Sequence, residues 1–313
     1  MRVLSIASTV LASIQLAFAV GPSPNQIKNL VTFGDSYTDT VATGDGGVAW
    51  PDYAAGYSHT KLFPFAKSGA TCSNNLTFRA VPSIREGQLP LLFQELRNGS
   101  LRLSPEETMY TLWIGTNDVG ILLTGEQATG VTVVDTVSCA VDWVSTLYAN
   151  GARNFIFQNM IPLQDTILYS PNSYPNRFWD LPRNTTEWSL TMTELTTSGN
   201  EIAKLMLQDL APKLHGAHLG LFDSHGLFTD MLNHPQNYLN GTAPLNVTGA
   251  VRSCVFELNT GVVEQCTIAD GTDRDSFLWF DELHPSEQAD RHVAREIANS
   301  IRRKDSRWIT WLS

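Results

Sequence analysis

A serine hydroxyl attacks an acyl carbon only when a base takes its proton and an acid orients that base. Two short strings of this chain hold all three groups. Gly34-Asp35-Ser36-Tyr37-Thr38-Asp39 follows a β-type run and places Ser36 at its end. Far downstream, Asp281-Glu282-Leu283-His284 is halted by Pro285. Three positions before His284 in a tight turn, the Asp281 carboxylate can curl back to one imidazole nitrogen and leave the other to Ser36. Glu282 points elsewhere on such a turn. None of His59, His215, His218, His225, His234 and His292 has a carboxylate three residues before it. A third string, Gly115-Thr116-Asn117-Asp118, offers a side-chain amide to a developing oxyanion, a donor whose loss typically costs about 2.7–4 kcal/mol of transition-state stabilisation. Gly69, in Lys67-Ser68-Gly69-Ala70-Thr71, can add a backbone N–H to the same hole. Each string alone also reads as turn or helix-cap chemistry; their joint placement carries the weight.

That placement depends on the elements around them. β-type runs at Asn29–Phe33, Thr108–Ile114, Asn154–Ile161, His218–Phe222 and Phe277–Phe280 alternate with helical periodicity, the pattern of a mostly parallel sheet covered on both faces. Val134, Val137, Val141, Val144 and Tyr148 recur at steps of three and four and predict a helix stopped by Asn150-Gly151. A final helix starts at an N-cap Ser286 and buries Ala289, Val293, Ile297 and Ile301. Residues 89–96 and 201–211 predict two more. In parallel strands the first run ends at Ser36, the second at Asn117 and the last at Asp281 and His284, all at the edge where open α/β sheets bind ligands.

Ser36 in Gly-Asp-Ser, Gly69, Asn117 in Gly-Thr-Asn-Asp, and Asp281 with His284 in Asp-x-x-His resemble the blocks of the GDSL, or SGNH, hydrolase superfamily, in order and over nearly the whole chain. The resemblance implies a flavodoxin-like three-layer α/β/α sandwich. It also implies Ser36 as nucleophile, His284 as base, Asp281 as its orienter, and an oxyanion hole of the Ser36 and Gly69 N–H groups with the Asn117 amide. The longer strings from Phe33 to Asp39, Trp50-Pro51, Ser68 to Asn74 and Asp281 to Pro285 are similar to fungal secreted members of carbohydrate esterase family 16. Those act as acetylesterases on acetylated sugars and xylo-oligosaccharides. Acyl transfer of this kind needs no metal or organic cofactor. The rival readings are a lipase or phospholipase on the same scaffold, a glycosidase using paired carboxylates, and a non-catalytic sugar-binding protein. An ordinary α/β-hydrolase is disfavoured, since no Gly-x-Ser-x-Gly occurs.

Composition sets the setting. The 313 residues, 42% apolar and 17% charged, suit a globular chain with a large core, and a net charge of −10 disfavours nucleic acid and anionic membrane surfaces. Arg2, the apolar stretch to Phe18 and Ala17-Phe18-Ala19 predict a secretory signal over residues 1–19, followed by one domain over 20–313, read as a monomer. Residues 233–275, with two prolines, break the rhythm and predict a surface excursion. Four cysteines allow three pairings. Cys254 and Cys266 bracket Asn259-Thr260-Gly261 like a locally bridged hairpin, leaving Cys72 for Cys139; no Cys-x-x-Cys or His-x-x-x-His spacing supports a metal site. Asn75, Asn98, Asn184, Asn240 and Asn246 sit in glycosylation sequons. Among the aromatics, Trp50, Tyr53 and Trp279 lie near the motifs and are expected to stack on a sugar.

Overall fold

The computed structural model describes residues 20–313, so the expected signal at 1–19 lies outside the described residues. The frame is a six-stranded sheet. Its strands are β1 (Asn29–Gly34), β2 (Lys61–Pro64), β3 (Thr108–Trp113), β4 (Asn154–Gln158), β5 (His218–Phe222) and β10 (Ile309–Trp311), in the order β10-β5-β4-β3-β1-β2. The first five run parallel and β10 pairs antiparallel with β5. The parallel core order 2-1-3-4-5 is that of a flavodoxin-like sandwich, which reverses direction between β1 and β3.

Both faces of the sheet are covered, so the central strands are buried throughout and mostly apolar. β3 and β4 are buried at every position, as parallel strands between helical layers are. Successive side chains alternate between two cores. Leu30, Met109 and Trp113 pack with α1 (Trp50–Ser58), α6 (Ser224–Asn233) and α7 (Glu287–Ile301). Val31, Phe33 and Leu112 pack with α2 (Leu89–Arg97), α4 (Val133–Ala149) and the C-terminal half of α5 (Thr185–Leu210). The remaining helix, α3 (Thr116–Thr124), starts directly after β3. Ser286 caps α7 as its sequence requires, accepting the Ala289 N–H at 3.2 Å.

Four readings need correction. The run at 277–280 forms β9 (Phe277–Trp279), but this strand pairs with β6 (Asn246–Ala250) in a separate two-stranded sheet and does not extend the main one. The 233–275 stretch is therefore partly core: Leu239, Ala250 and Val251 are buried, because β6 is what β9 pairs with. Its outer part is the expected hairpin, β7 (Arg252–Phe256) with β8 (Val263–Ile268), bridged by Cys254–Cys266 and turned at Asn259 and Gly261, both with positive φ. The edge strands β2 and β10 escape a sequence reading because they are short, and Pro64 fits an edge that needs no donor. α5 is more than twice the expected length, 26 residues beginning at Thr185. Its buried stripe is Met192, Thr196, Gly199, Ala203 and Leu207, perfectly helical in spacing but carried by two residues that hydrophobicity does not flag.

Candidate active site

Gly34 ends β1 with φ of +155°, and a Cβ there would strike the Trp113 carbonyl and the Thr38 side chain. Only glycine makes this close approach. The Gln88 amide grips the residue from both sides, accepting the Gly34 N–H at 3.2 Å and donating to its carbonyl at 2.8 Å. The following turn sets the Ser36 hydroxyl 2.8 Å from His284 Nε2.

His284 arrives on a turn closed at its neck. The Phe280 N–H donates to the His284 carbonyl at 2.8 Å and the Ser286 N–H to Leu278 at 2.9 Å. Inside this loop, His284 Nδ1 lies 3.0 Å from both Asp281 oxygens, while Asp281 Oδ1 also accepts the Leu283 and His284 N–H groups at 2.9 and 2.8 Å. The Arg177 guanidinium donates to Asp281 Oδ2. Burial pushes the Asp281 carboxyl upward, but its contact with His284, the Arg177 charge and the Leu283 N–H together hold it below the usual carboxylate range. An ionised acceptor on Nδ1 places the proton there and turns the Nε2 lone pair toward Ser36. Glu282 is directed away, accepting the Cys254 N–H at 2.7 Å and the Tyr174 hydroxyl at 3.1 Å.

Facing this pair stand three donors. The Ser36 and Gly69 N–H groups make no hydrogen bond among the described residues, and Gly69 has φ of +81°, which an L side chain rarely adopts. Asn117 donates one amide hydrogen to the Ala70 carbonyl at 3.0 Å, which leaves its second free for a ligand. The three loops are tied to one another. Asp39 accepts the Ser68 N–H at 2.8 Å; Asp118 accepts the Cys72 N–H and the Thr77 hydroxyl; Cys72 is bridged to Cys139 of α4. Burial raises the Asp118 carboxyl to about 6 against those hydrogen bonds, and raises Asp35, whose Oδ2 has no partner among the described residues, to about 7.

Ser36, Gly69, Asn117 and His284 line one cleft of about 390 Å³. They sit where β1 and β3 diverge, the switch point at which such sheets take ligands. Residues 30–297 match the GDSL-like lipase/acylhydrolase family. The chain belongs to this GDSL family. It is 31% identical to an acetylesterase of Hypocrea jecorina, over 91% of this chain and 92% of that protein. An acetylesterase of Thermothelomyces thermophilus is 23% identical, over 87% and 88%. Among solved structures, the acetylxylan esterase Axe2 of Geobacillus stearothermophilus overlays with a TM-score of 0.44 at 13% identity, over 92% of this chain and 98% of that one. As a GDSL enzyme, the protein is a carboxylic ester hydrolase.

The three aromatics expected from the sequence to stack on a sugar do not line the cleft. Trp50 and Trp279 are fully buried, their indole N–H groups donating to the Thr38 hydroxyl and the Val247 carbonyl. Tyr53 donates to Glu287 at 2.5 Å and lies outside the cleft. Trp50 and Trp279 serve the core, since a helix-on-sheet core draws in large aromatics that flank a motif in sequence, while Tyr53 is tied to α7 through Glu287. The cleft wall is built instead by Tyr169, Phe178, Trp179 and Trp188. The aromatic string Tyr174-Pro-Asn-Arg-Phe-Trp179 was the legible signal for it. Of the sequons, Asn75, Asn98, Asn184 and Asn240 are exposed, whereas Asn246 is half-buried with its side-chain oxygen accepting the Thr248 and Gly249 N–H groups.

Proposed function

We propose that this GDSL enzyme is a secreted serine acetylesterase that removes acetyl groups from carbohydrates such as acetylated xylo-oligosaccharides, through an acyl-enzyme on Ser36. The observation that carries the reading is the unbroken line Ser36–His284–Asp281 opening on a cleft with three convergent donors. His284 Nε2 takes the serine proton as Oγ attacks the ester carbonyl, and charge moves onto the carbonyl oxygen within reach of the Ser36, Gly69 and Asn117 donors. The tetrahedral species collapses, His284 returns the proton to the departing sugar hydroxyl, and the acetyl group stays on Ser36. Water enters against the acyl carbon, gives its proton to the same nitrogen, and acetate leaves with Ser36 restored.

Two features favour a sugar alcohol with a short acyl group. The cleft mixes aromatic faces with Arg79, Glu126 and Asn117, the combination that stacks a pyranose and binds its hydroxyls; and the similar fungal proteins are acetylesterases. Secretion agrees with two disulfides, four exposed sequons and the signal-like residues 1–19. Among the described residues no helix is long and apolar enough to cross a membrane.

Acetate release from acetylated xylo-oligosaccharides tests the reading. Ser36→Ala and His284→Ala are expected to lower kcat by about 10⁴-fold or more while the proteins stay folded. A preference for long acyl chains over acetyl would place the enzyme with the lipases. Retained turnover in Ser36→Ala would remove the serine mechanism, and unchanged sugar binding with no hydrolysis by wild type would make the protein a binding module.

A further inference from the structure

Arg177 lies on the strap that crosses the cleft between Ser173 and Arg183, and its place there is built. Asn176 and Trp179 exchange backbone hydrogen bonds at 3.0 Å around it. Arg183 clamps the strap from behind through Ser173, Tyr174 and Trp179, and the bridged β7–β8 hairpin holds it from the side, with the Phe256 N–H on the Pro175 carbonyl at 2.9 Å. The guanidinium lies over the Phe178 ring at 4.6 Å, and Phe178 in turn faces the His284 imidazole at 5.6 Å.

We infer that Arg177 is a positioning residue that acts through Asp281, fixing the carboxylate that orients His284 and keeping the imidazole available as a base at lower pH. This rests on the serine mechanism proposed above. The titratable surroundings give the direction. Asp35 and Tyr37 approach from the turn after β1, Tyr174 from the strap, and Asp281 and Glu282 from the histidine's own turn. Arg177 is the one arginine or lysine paired with a carboxylate of this set among the described residues. Without it, Asp281 keeps its charge with less compensation and favours a protonated imidazole, and a protonated base cannot accept from Ser36. The geometric part follows from one guanidinium nitrogen, Nη2, which holds Oδ2 while backbone N–H groups hold Oδ1. Arg177 is itself 44% exposed, so water screens its charge and the effect is smaller than for a sealed ion pair.

The test is the pH profile of kcat/KM on p-nitrophenyl acetate for wild type, Arg177→Met, Arg177→Gln and Arg177→Lys. The neutral variants are expected to move the acid limb to higher pH by about half to one unit and to lower the plateau kcat by about 10-fold, with KM little changed. Arg177→Lys, which keeps the charge and loses the planar guanidinium and its reach, is expected to keep the wild-type limb and lose part of the plateau. A purely structural role predicts lower stability with an unmoved limb in every variant, and that result overturns the inference, as does a change confined to KM. His284 titration followed by NMR in Ser36→Ala, with and without Arg177→Met, reads the same shift without turnover. It separates failure of this inference, an unshifted titration, from failure of the serine mechanism, which appears as activity surviving in Ser36→Ala.

Discussion

Asn117 holds its side chain in place with one amide hydrogen, on the Ala70 carbonyl, and offers the other to the cleft. That division lets it act without reorganising when charge appears on the substrate. Asn117→Ala is expected to lower kcat by about 10²–10³-fold with KM nearly constant, because the donor matters only once the carbonyl oxygen is negative. Steady-state kinetics on an acetyl ester checks this, and a loss confined to KM would assign Asn117 to ground-state binding. At this scale the sequence was most informative for groups that act over three residues or fewer. Asp281 and His284 share one turn, and their contact is a property of the local chain. Arg177 stands 104 positions from Asp281 in the chain, and no local pattern marks that pair.

At the scale of elements, the loop from Asp39 to Ala49 shows how packing constrains the site. Gly44 lies so close to the His284 ring that a Cβ on it would overlap the imidazole, while Gly56 in α1 has open space around it. Gly44→Ala is therefore expected to displace the base and lower kcat at least 10-fold. Gly56→Ala should leave activity alone and stabilise α1 by about 0.5–1 kcal/mol, since alanine removes backbone entropy from the unfolded chain. Urea unfolding and kinetics on both variants check the contrast; equal kcat in the two would mean that the loop yields. The strands and helices β1, β3, β5, α4 and α7 were legible in the residues, although Val134, the first residue of the stripe read for α4, is exposed and the buried face runs through Val137, Val141 and Val144. α5 was legible in its second half alone, as Thr196 and Gly199 interrupt the apolar pattern where the helix nevertheless packs. β9 was read as a strand but assigned to the wrong sheet, because strand propensity says nothing about the neighbour.

Over the whole molecule, acidic residues outnumber basic ones, 31 to 21, and several carboxyls are buried. Asp35 and Asp118 titrate near 7 and near 6 in the fold, far above the ordinary 3.8. The folded state thus binds protons there that the unfolded chain has released. Their contribution is most favourable below about pH 4 and is lost as pH rises through 6 and 7. Asp281, held low, works the opposite way and loses its contribution in acid. Asp35→Asn, which removes one of these high-titrating groups, is expected to gain stability relative to wild type as pH goes from 5 to 8; a difference in Tm that stays constant across that range would show that Asp35 does not titrate there. From the residues alone came the alternating α/β class, the disulfide pairing, and the serine, histidine, glycine and asparagine that line the cleft with the aspartate behind them. Those follow from periodicity and from turn geometry, which are local. The tertiary structure alone decided that β9 joins β6, that Trp50 and Trp279 serve the core while Phe178, Trp179 and Trp188 wall the cleft, and that Arg177 reaches Asp281. Each depends on which distant surfaces compete for the same apolar contact or the same carboxylate, and a linear pattern does not record that competition.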